Sequence, residues 1–450
     1  MTARLRLPDL GWPALVTVGA AALGLIAGGR PVYAVAAAIA LLLMAVVVLG
    51  ELAAGLCAFV LLSFVDVLPG GPALSFTKLI GLLLALCWLA TIATRDDVKK
   101  DLFSEHPTLL YLLAVFLAWS AFSTLWAIDQ GQAATAASRY GLNFLLFPIA
   151  YTALRERRHA LWVAWTFVIA ALLSGAYGLV HAQPSDEGRL TGAVGEANEL
   201  ASVLVAAFAI AVALAIARRR SPEARLVAVG AALACAAGVL LSLSRSGLLA
   251  LGVVMVAGIF VAGRWRGKAT VVAVVGALCA VAWFGAFAST QTRDRFTRLE
   301  GGTGRVDLWR IGWRMAEDRP LTGVGAGNFV TAAPRYLVRP GLFARDDFVL
   351  QHPKQTHNIY LQALAELGIP GLLLFGAVIG LSLSCSAGAA RCFRRSGDAA
   401  MEALAWGFLI AAIGVLAADF FQSEQFSKQL WLLLALGPAL LGLARRGQQA

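Results

Sequence analysis

The chain has 450 residues, of which 59% are hydrophobic and only 14% are charged, and its mean hydropathy is +0.76. Soluble globular proteins carry roughly 25% charged residues, so this composition excludes an array of soluble domains and indicates that most of the chain faces lipid. The net charge of +11 points to anionic lipids or phosphorylated lipid substrates. Nucleic acid is not expected as a partner.

Apolar runs of about 17–25 residues, the length that crosses a bilayer, recur along the whole chain. We therefore expect an all-α polytopic membrane protein with about twelve, and up to fourteen, transmembrane helices. The candidate spans are 12–28, 32–49, 51–68, 77–94, 108–126, 132–153, 158–181, 197–217, 226–243, 247–263, 270–288, 358–386, 401–419 and 428–444.

The basic residues predict the orientation, because cytoplasmic connections are enriched in Lys and Arg. With the N-terminus inside, the predicted inside connections hold 20 of the 37 Lys and Arg residues. Both termini are then cytoplasmic and one long polar segment lies outside. The expected organisation is N-terminal transmembrane helices over 1–288, an outer loop domain over 289–356 and C-terminal transmembrane helices over 357–450.

Two arginines lie in short connections on the predicted outer side. Arg189 belongs to a polar turn that is followed by Asn198, and Arg245 lies in the minimal turn Ser242–Gly247. Either arginine alone is compatible with a side chain that reaches the lipid headgroups. Together with the arginine-rich loop, they indicate a cationic pocket, because guanidinium binds phosphate with a planar pair of donors and keeps its charge.

The long loop contains one predicted amphipathic helix, 305–317. Its sequence places Val306, Trp309, Trp313 and Ala316 on one stripe, with Arg305, Arg310 and Arg314 on other faces. A helix of this kind is suited to the membrane interface. The glycine-rich run 323–328 follows and predicts a turn, in which backbone N–H groups could approach an anion. Nucleotide binding is not supported, since the run has neither a strand–loop–helix context nor a Walker lysine.

A phosphorylated lipid substrate bound in the cationic pocket could react with loss of a diphosphate group. The positive charge that such a leaving group requires can come from arginines or from a divalent metal. The acidic pairs Asp186-Glu187 and Asp346-Asp347 are the candidates for a metal site, and each lies beside an arginine. We prefer the arginines and expect neither a metal nor another cofactor. None of the six cysteines lies in the outer loop, so a disulfide framework and a zinc site are not expected.

His357 opens a predicted span on the outer side. A neutral imidazole there could accept a proton from a sugar hydroxyl, although a histidine at an interface is also a common polar anchor. Glu366 is expected about two and a half turns deeper in the same helix. It is either functional or a partner for backbone groups freed where Gly368 to Gly371 break the helix.

His357-Asn358, followed by Tyr360-Leu361 and by Glu366-Leu367-Gly368, resembles the membrane signature of the O-antigen ligase and polymerase superfamily. Three other segments are similar to motifs of that family, and the resemblance covers about 185–372. These segments are Arg189 to Gly192 with Asn198, Ser244-Arg245-Ser246, and Arg305 through Trp309 and Pro320 to Gly327.

The resemblance implies a glycosyltransferase of the bacterial inner membrane, with its active site facing the periplasm. Such enzymes take a glycan from undecaprenyl diphosphate and transfer it to an acceptor hydroxyl. We expect the two arginines of the short turns and His357 to be catalytic, with the arginines on the diphosphate and the histidine as general base. The residues expected to bind or orient substrates are Asn198, Arg305, Arg310, Arg314, Asn358, Tyr360 and Glu366.

Within this family a ligase that uses lipid A–core oligosaccharide as acceptor is the preferred interpretation. The outer loop is short, and the sequence ends at Ala450 soon after the last predicted span, which suits a ligase better than a protein glycosyltransferase. A polymerase that extends the glycan stays open. A transporter of lipid-linked glycans is the alternative outside the family, and it would need charged residues along a path through the membrane.

Overall fold

The structure is a computed structural model, and it describes residues 51–64, 76–94, 101–181, 189–218, 221–263, 266–287, 304–337, 351 and 353–449. Within these ranges the regular structure is helical, and no β-strand occurs. The α-helices, numbered in chain order, are α1 Leu52–Leu62, α2 Phe76–Thr94, α3 Asp101–Glu105, α4 Pro107–Phe122, α5 Gln130–Phe144, α6 Leu146–Ala153, α7 Arg157–Val180, α8 Ala197–Ala217, α9 Pro222–Leu241, α10 Arg245–Val261, α11 Arg266–Phe287, α12 Arg305–Asp318, α13 Phe329–Leu337, α14 Ile359–Arg395, α15 Ala399–Ala418 and α16 Lys428–Gln449.

Seven of the described helices are long and apolar enough to cross a membrane. They include α7, α8, α9 and α15, and their ends lie within a few residues of the predicted spans. The protein is therefore an α-helical polytopic membrane protein. The predicted spans 12–28 and 32–49 lie outside the described residues, and the predicted span 132–153 is divided into α5 and α6 at Leu145.

Helix α8 forms the centre of the bundle and packs against α7, α9, α10 and α15. Small residues make the close approach to α15 possible, because a Cβ at Gly407 would clash with Ala213 and a Cβ at Gly414 would meet Val205 at 2.9 Å. Glycine and alanine allow membrane helices to approach closely, so that dispersion contacts replace the hydrophobic effect that lipid does not provide.

The two ends of the bundle differ in their polar contacts. At one end Arg157 pairs with Asp398 at 2.9 Å, and Arg445 pairs with Glu105 at 3.4 Å. At the other end, which we call the loop end, hydrogen bonds join 123–129 to 304–328, 189–196 to 242–246, and 304–328 to 356–358. The segments predicted to share the outer side are thus brought to one end of the bundle.

Helix α14 contains a sharp break at Gly368, whose φ of 69° and ψ of −172° are not helical. Tyr360 and Leu383 line the same cavity, and the Tyr360 ring lies 6.5 Å from that of Phe375. A straight helix would separate Tyr360 from Leu383 by roughly 35 Å. Glu366 lies in the first arm of α14, about two and a half turns after His357 as expected, and the chain changes direction directly after it.

The predicted loop helix is confirmed as α12, and it uses two faces. Val306 and Trp313 are exposed, as an interfacial stripe requires, but Ala316 is buried. The face that packs against the protein is a different one, formed by Leu308, Ile311 and Met315. The stripe seen in the sequence therefore describes only part of this helix, because a second apolar face packs it against α13 and α14.

Candidate active site

Arg189 is held against the two other outer elements that the sequence singled out. Its Nε donates to the carbonyl oxygen of Ser242 at 3.1 Å, and its Nη2 donates to Oδ1 of Asn198 at 2.8 Å. The hydroxyl of Ser244 donates to the same amide oxygen at 2.8 Å. Asn198 therefore joins the start of α8 to the turn that carries Arg245.

The turn before α10 fixes the backbone position of Arg245. Leu243 has a left-handed φ of 50°, and Ser244 caps α10 by accepting a hydrogen bond from Gly247 N at 3.1 Å. A Cβ at Gly247 would lie 2.5 Å from Ala201, so glycine is required for the approach to α8. Arg245 is the first residue of the capped helix and directly follows Ser244, which is bound to Asn198 of α8.

Arg305, the first residue of α12, lies within electrostatic reach of Arg245. Burial lowers the pKa of the Arg305 guanidinium, the charge of Arg245 lowers it further, and the Glu196 carboxylate opposes both effects. The two guanidinium groups repel one another at a partly buried position. An anion bound between them would relieve this repulsion and would therefore be stabilised.

His357 completes the same cluster. Its backbone is left-handed, with a φ of 53°, and its N–H donates to the hydroxyl of Ser423 at 2.8 Å. Burial, together with the charges of Arg305 and Lys354, lowers the pKa of the imidazole to about 4. The ring is therefore neutral at physiological pH, which is the state that a general base requires.

Asn358 and Tyr360 fix the chain beside His357. Asn358 caps α14, because its Oδ1 accepts from Tyr360 N at 3.0 Å and from Leu361 N at 2.9 Å. The Tyr360 hydroxyl donates to the carbonyl oxygen of Leu416 at 3.0 Å. Both side chains thus stabilise the backbone around His357.

The loop domain is joined to the His357 segment by Trp309. Its indole Nε1 donates to the carbonyl oxygen of Thr356 at 3.0 Å, and its ring packs edge-on against Phe420. Gly312 on the next turn faces Leu361, and a Cβ there would lie 3.0 Å from the leucine side chain. Helix α12 therefore holds a fixed position relative to His357.

Arg310 and Arg314 make their described contacts inside the loop domain. Arg310 is exposed and pairs with the buried Asp307 at 3.4 Å. Arg314 Nη1 donates to the carbonyl oxygen of Tyr336 at 3.0 Å and so joins α12 to α13.

Glu366 is buried, and its carboxylate is bound by the glycine-rich run rather than facing the arginines. Gly327 N donates to Oε2 at 2.8 Å, and Gln362 Nε2 donates to Oε1 at 3.0 Å. The anion at this run is therefore a side chain of the protein itself. Of the two alternatives for Glu366, the structure favours the binding of backbone N–H groups, although these belong to the loop and not to α14.

We call Arg245, Arg305 and His357 the cationic cluster. An apolar cavity of about 470 Å³ lies beside it. It is formed by Leu249 and Val253 of α10, Leu416 of α15, Tyr360 and Phe420. Leu249 and Phe420 are partly exposed, so the cavity is open at the surface of the bundle. Since Leu249 is one turn from Arg245, an apolar chain could lie here while its charged end reaches the arginines.

Sequence reasoning missed Asp419, in the 3₁₀ turn Asp419–Phe421 after α15. Its side chain is 1% exposed, and neither oxygen has a hydrogen-bond partner among the described residues. It lies within electrostatic reach of Tyr360. A carboxylate at the loop end of an otherwise apolar span was the signal available in the sequence.

The described residues contain no group of three or more His, Cys, Asp or Glu residues arranged to hold a metal ion. The acidic pairs Asp186-Glu187 and Asp346-Asp347, considered above for a metal, lie outside the described residues.

Comparison with known families gives one match. Residues 230–376 match the family model described as O-antigen ligase. A search of the curated proteins finds no match for the chain. The matched segment includes Arg245, Arg305 and His357, which the fold brings together. It supports the O-antigen ligase and polymerase superfamily, and with it a multi-pass membrane enzyme that transfers glycosyl groups.

Proposed function

We propose that the protein is an O-antigen ligase in lipopolysaccharide biosynthesis, located in the bacterial inner membrane. It transfers a glycan from undecaprenyl diphosphate to lipid A–core oligosaccharide at the periplasmic face. The observation that carries the proposal is the position of Arg305, which lies within electrostatic reach of both Arg245 and His357. This arrangement combines a phosphate-binding group and a proton acceptor in one site.

The arginines bind the diphosphate of the donor. Arg189, Arg245 and Arg305 are supplied by three different elements, and the Asn198 amide holds the first of them in place. Negative charge accumulates on the leaving diphosphate as the glycosidic C–O bond breaks. Fixed guanidinium groups therefore stabilise the transition state more than the bound substrate.

His357 accepts the proton of the acceptor hydroxyl. In the protein without substrate, burial and the charges of Arg305 and Lys354 disfavour the imidazolium, so the ring is neutral but weakly basic. A bound diphosphate brings compensating negative charge, which raises the pKa of His357 and makes it a better base when the donor is present.

One displacement suffices for the reaction. The acceptor oxygen forms a bond to the anomeric carbon, the bond from that carbon to the phosphate oxygen breaks, and the hydroxyl proton moves to His357. Undecaprenyl diphosphate leaves with the bonding electrons. Because no enzyme nucleophile takes part, the product has the inverted anomeric configuration, and no metal is needed.

The apolar cavity beside Arg245 supports a lipid-linked donor. Leu249 and Val253 follow the arginine along α10 on the exposed surface of the bundle, so a polyprenyl chain in this cavity would place its diphosphate at the loop end. In this scheme the exposed Arg310 faces the acceptor, Arg314 positions the loop helix, and the exposed Trp313 contacts the headgroup region.

The basic residues at the opposite end support the orientation. Arg157, Arg394 and Arg445 lie there, as expected for the cytoplasmic side, and the loop end then faces the periplasm. The active site would therefore meet donor and acceptor in the outer leaflet of the inner membrane.

The test is an assay with purified protein in nanodiscs, supplied with undecaprenyl-diphosphate glycan and three candidate acceptors. We expect product on lipid A–core. Product on the end of a second donor glycan would identify a polymerase, and product on a serine-containing peptide would identify a protein glycosyltransferase. Movement of labelled lipid between leaflets without a new glycosidic bond would identify a transporter.

A further inference from the structure

The buried Glu366 is an anion whose hydrogen bonds are supplied by the protein. Its side chain is 2% exposed, and three donors contact its carboxylate. These are Gly327 N at 2.8 Å, Gln362 Nε2 at 3.0 Å and Phe329 N at 3.4 Å. The two backbone donors lie at the N-terminus of α13, where a negative charge is favourable. A substrate has no access to this carboxylate.

The backbone around Glu366 contacts the same loop segment. Val324 N donates to the carbonyl oxygen of Ala365 at 3.0 Å, and Gly325 N donates to that of Glu366 at 2.9 Å. Gly323 has a left-handed φ of 64°, and a Cβ on it would clash with the Glu366 backbone. The glycine-rich run therefore fits closely against this part of α14.

The run is continuous with the helices that carry the cationic cluster. Arg314 of α12 donates to the carbonyl oxygen of Tyr336 near the end of α13, and the Tyr336 hydroxyl donates to Asp318 at 2.9 Å. Helix α12 is thus connected to α13, whose N-terminus is bound by Glu366. Arg305 is the first residue of α12.

We propose that Glu366 is a positioning residue, which fixes α13 and α12 against α14 and thereby holds Arg305 beside His357. The proposal rests on the proposed function, because the consequence of the position is the stabilisation of a leaving diphosphate. Glu366 itself touches neither substrate. The glycine-rich run is accordingly a binding site for an internal carboxylate and not for a phosphate.

The substitution E366Q tests this, because it keeps the shape of the side chain but removes its charge and turns an amide N–H toward at least one of the three donors. The matched control is E402Q, which makes the same change at the opposite end of the bundle, where Glu402 pairs with Arg394. Both variants and E366D are compared with the wild type as full-length protein in nanodiscs.

Three quantities are measured: kcat and KM for each substrate, amide hydrogen exchange of residues 323–337, and the pKa of His357 by NMR of histidine-labelled protein. For E366Q we expect kcat to fall about 10- to 100-fold with little change in either KM, since a small displacement of a catalytic group has this effect. Exchange over 323–337 becomes faster, and the pKa of His357 rises above 4 as Arg305 moves away, although burial still holds it below its usual value. E402Q behaves as the wild type.

Either of two results would overturn the proposal. One is a normal kcat and an unchanged pKa of His357 in E366Q despite faster exchange. The other is a raised KM for the acceptor with unchanged exchange, which would make Glu366 a substrate-binding group. If E366Q does not fold, E366D retains the charge at a shorter reach and must show the same effects in weaker form. If the wild type transfers no glycan, the proposed function fails, while exchange and the His357 titration still decide the role of Glu366.

Discussion

Arg305 lies close enough to His357 for its guanidinium charge to lower the pKa of the imidazole, although the two residues stand at the beginnings of two different helices. The same guanidinium is influenced by Arg245 from a third helix. A cation beside a proton acceptor weakens the base in the empty site and strengthens the binding of an anionic substrate. The arrangement therefore links basicity to donor binding.

The pH dependence of the reaction should show this link. Because His357 has a pKa of about 4 in the free protein, it stays neutral as the pH falls through 6.5, and kcat/KM should decrease only well below pH 6. The acid limb of the kcat profile should lie at higher pH than that of the kcat/KM profile, because the bound diphosphate favours the imidazolium. In Arg305→Gln the acid limb for kcat/KM should move to higher pH but stay below 6.5, because burial of the imidazole remains. An acid limb near 6.5 in the wild type, unchanged in the variant, would contradict the assignment.

Arg189→Lys should be strongly impaired. Lysine keeps the charge but lacks the planar pair of donors that contacts Asn198 and the Ser242 carbonyl. Loss of charge-assisted hydrogen bonds costs about 1.5–3 kcal/mol, so kcat/KM should fall by roughly 10- to 100-fold. Asn198→Asp should retain more activity than Asn198→Ala, because a carboxylate still accepts both hydrogen bonds. Wild-type kinetics for Arg189→Lys would exclude the proposed geometry.

Trp309→Phe should destabilise the loop domain by about 1 kcal/mol, since phenylalanine keeps the ring but not the hydrogen bond to Thr356. Trp313→Phe is the control, because Trp313 is 57% exposed and packs less tightly. The free energy of unfolding from denaturant titration, together with kcat, measures both variants. Equal values for the two variants would show that the contact to Thr356 does not hold α12.

Glycan transfer should be insensitive to chelators. The arginines supply the charge that a metal would otherwise provide, so EDTA should leave kcat within twofold of its value in buffer. The check is a time course with EDTA, followed by addition of Mg²⁺ or Mn²⁺. Activity that disappears with EDTA and returns with a metal would refute the metal-independent mechanism.

The orientation can be tested by labelling of single cysteines. In a background without the six native cysteines, Glu317→Cys marks the loop end and Arg395→Cys marks the opposite end. A membrane-impermeant maleimide should label only the first in cells whose outer membrane alone is permeable. Labelling of Arg395→Cys under these conditions would reverse the proposed topology.

Much of the helical layout follows from the sequence alone. The spans 158–181 and 197–217 differ from α7 and α8 by at most one residue at each end, because apolar runs bounded by polar turns define membrane helices directly. The common side of Arg189, Arg245 and His357 was likewise predictable from the basic residues in the connections. Arg189→Lys and His357→Gln test whether two of these residues act as proposed.

Other features depend on contacts between distant segments and could not be read from the sequence. The Gly368 and Pro370 pair predicts a break in α14 but not its direction, which follows from the contacts with the glycine-rich run. The sequence of α12 shows its tryptophan stripe clearly but does not indicate that Leu308, Ile311 and Met315 form the buried face. Asp129 N donates to Asn328 Oδ1 at 2.7 Å and so joins the loop to the start of α5, a contact without any sequence motif.

The measurement that tests the central claim most directly is the product analysis for wild type and His357→Gln with undecaprenyl-diphosphate glycan and lipid A–core. The account predicts that the wild type forms a new glycosidic bond with inverted anomeric configuration, and that the variant binds the donor normally but forms almost no product. A product with retained configuration, or near-normal turnover by His357→Gln, would contradict it.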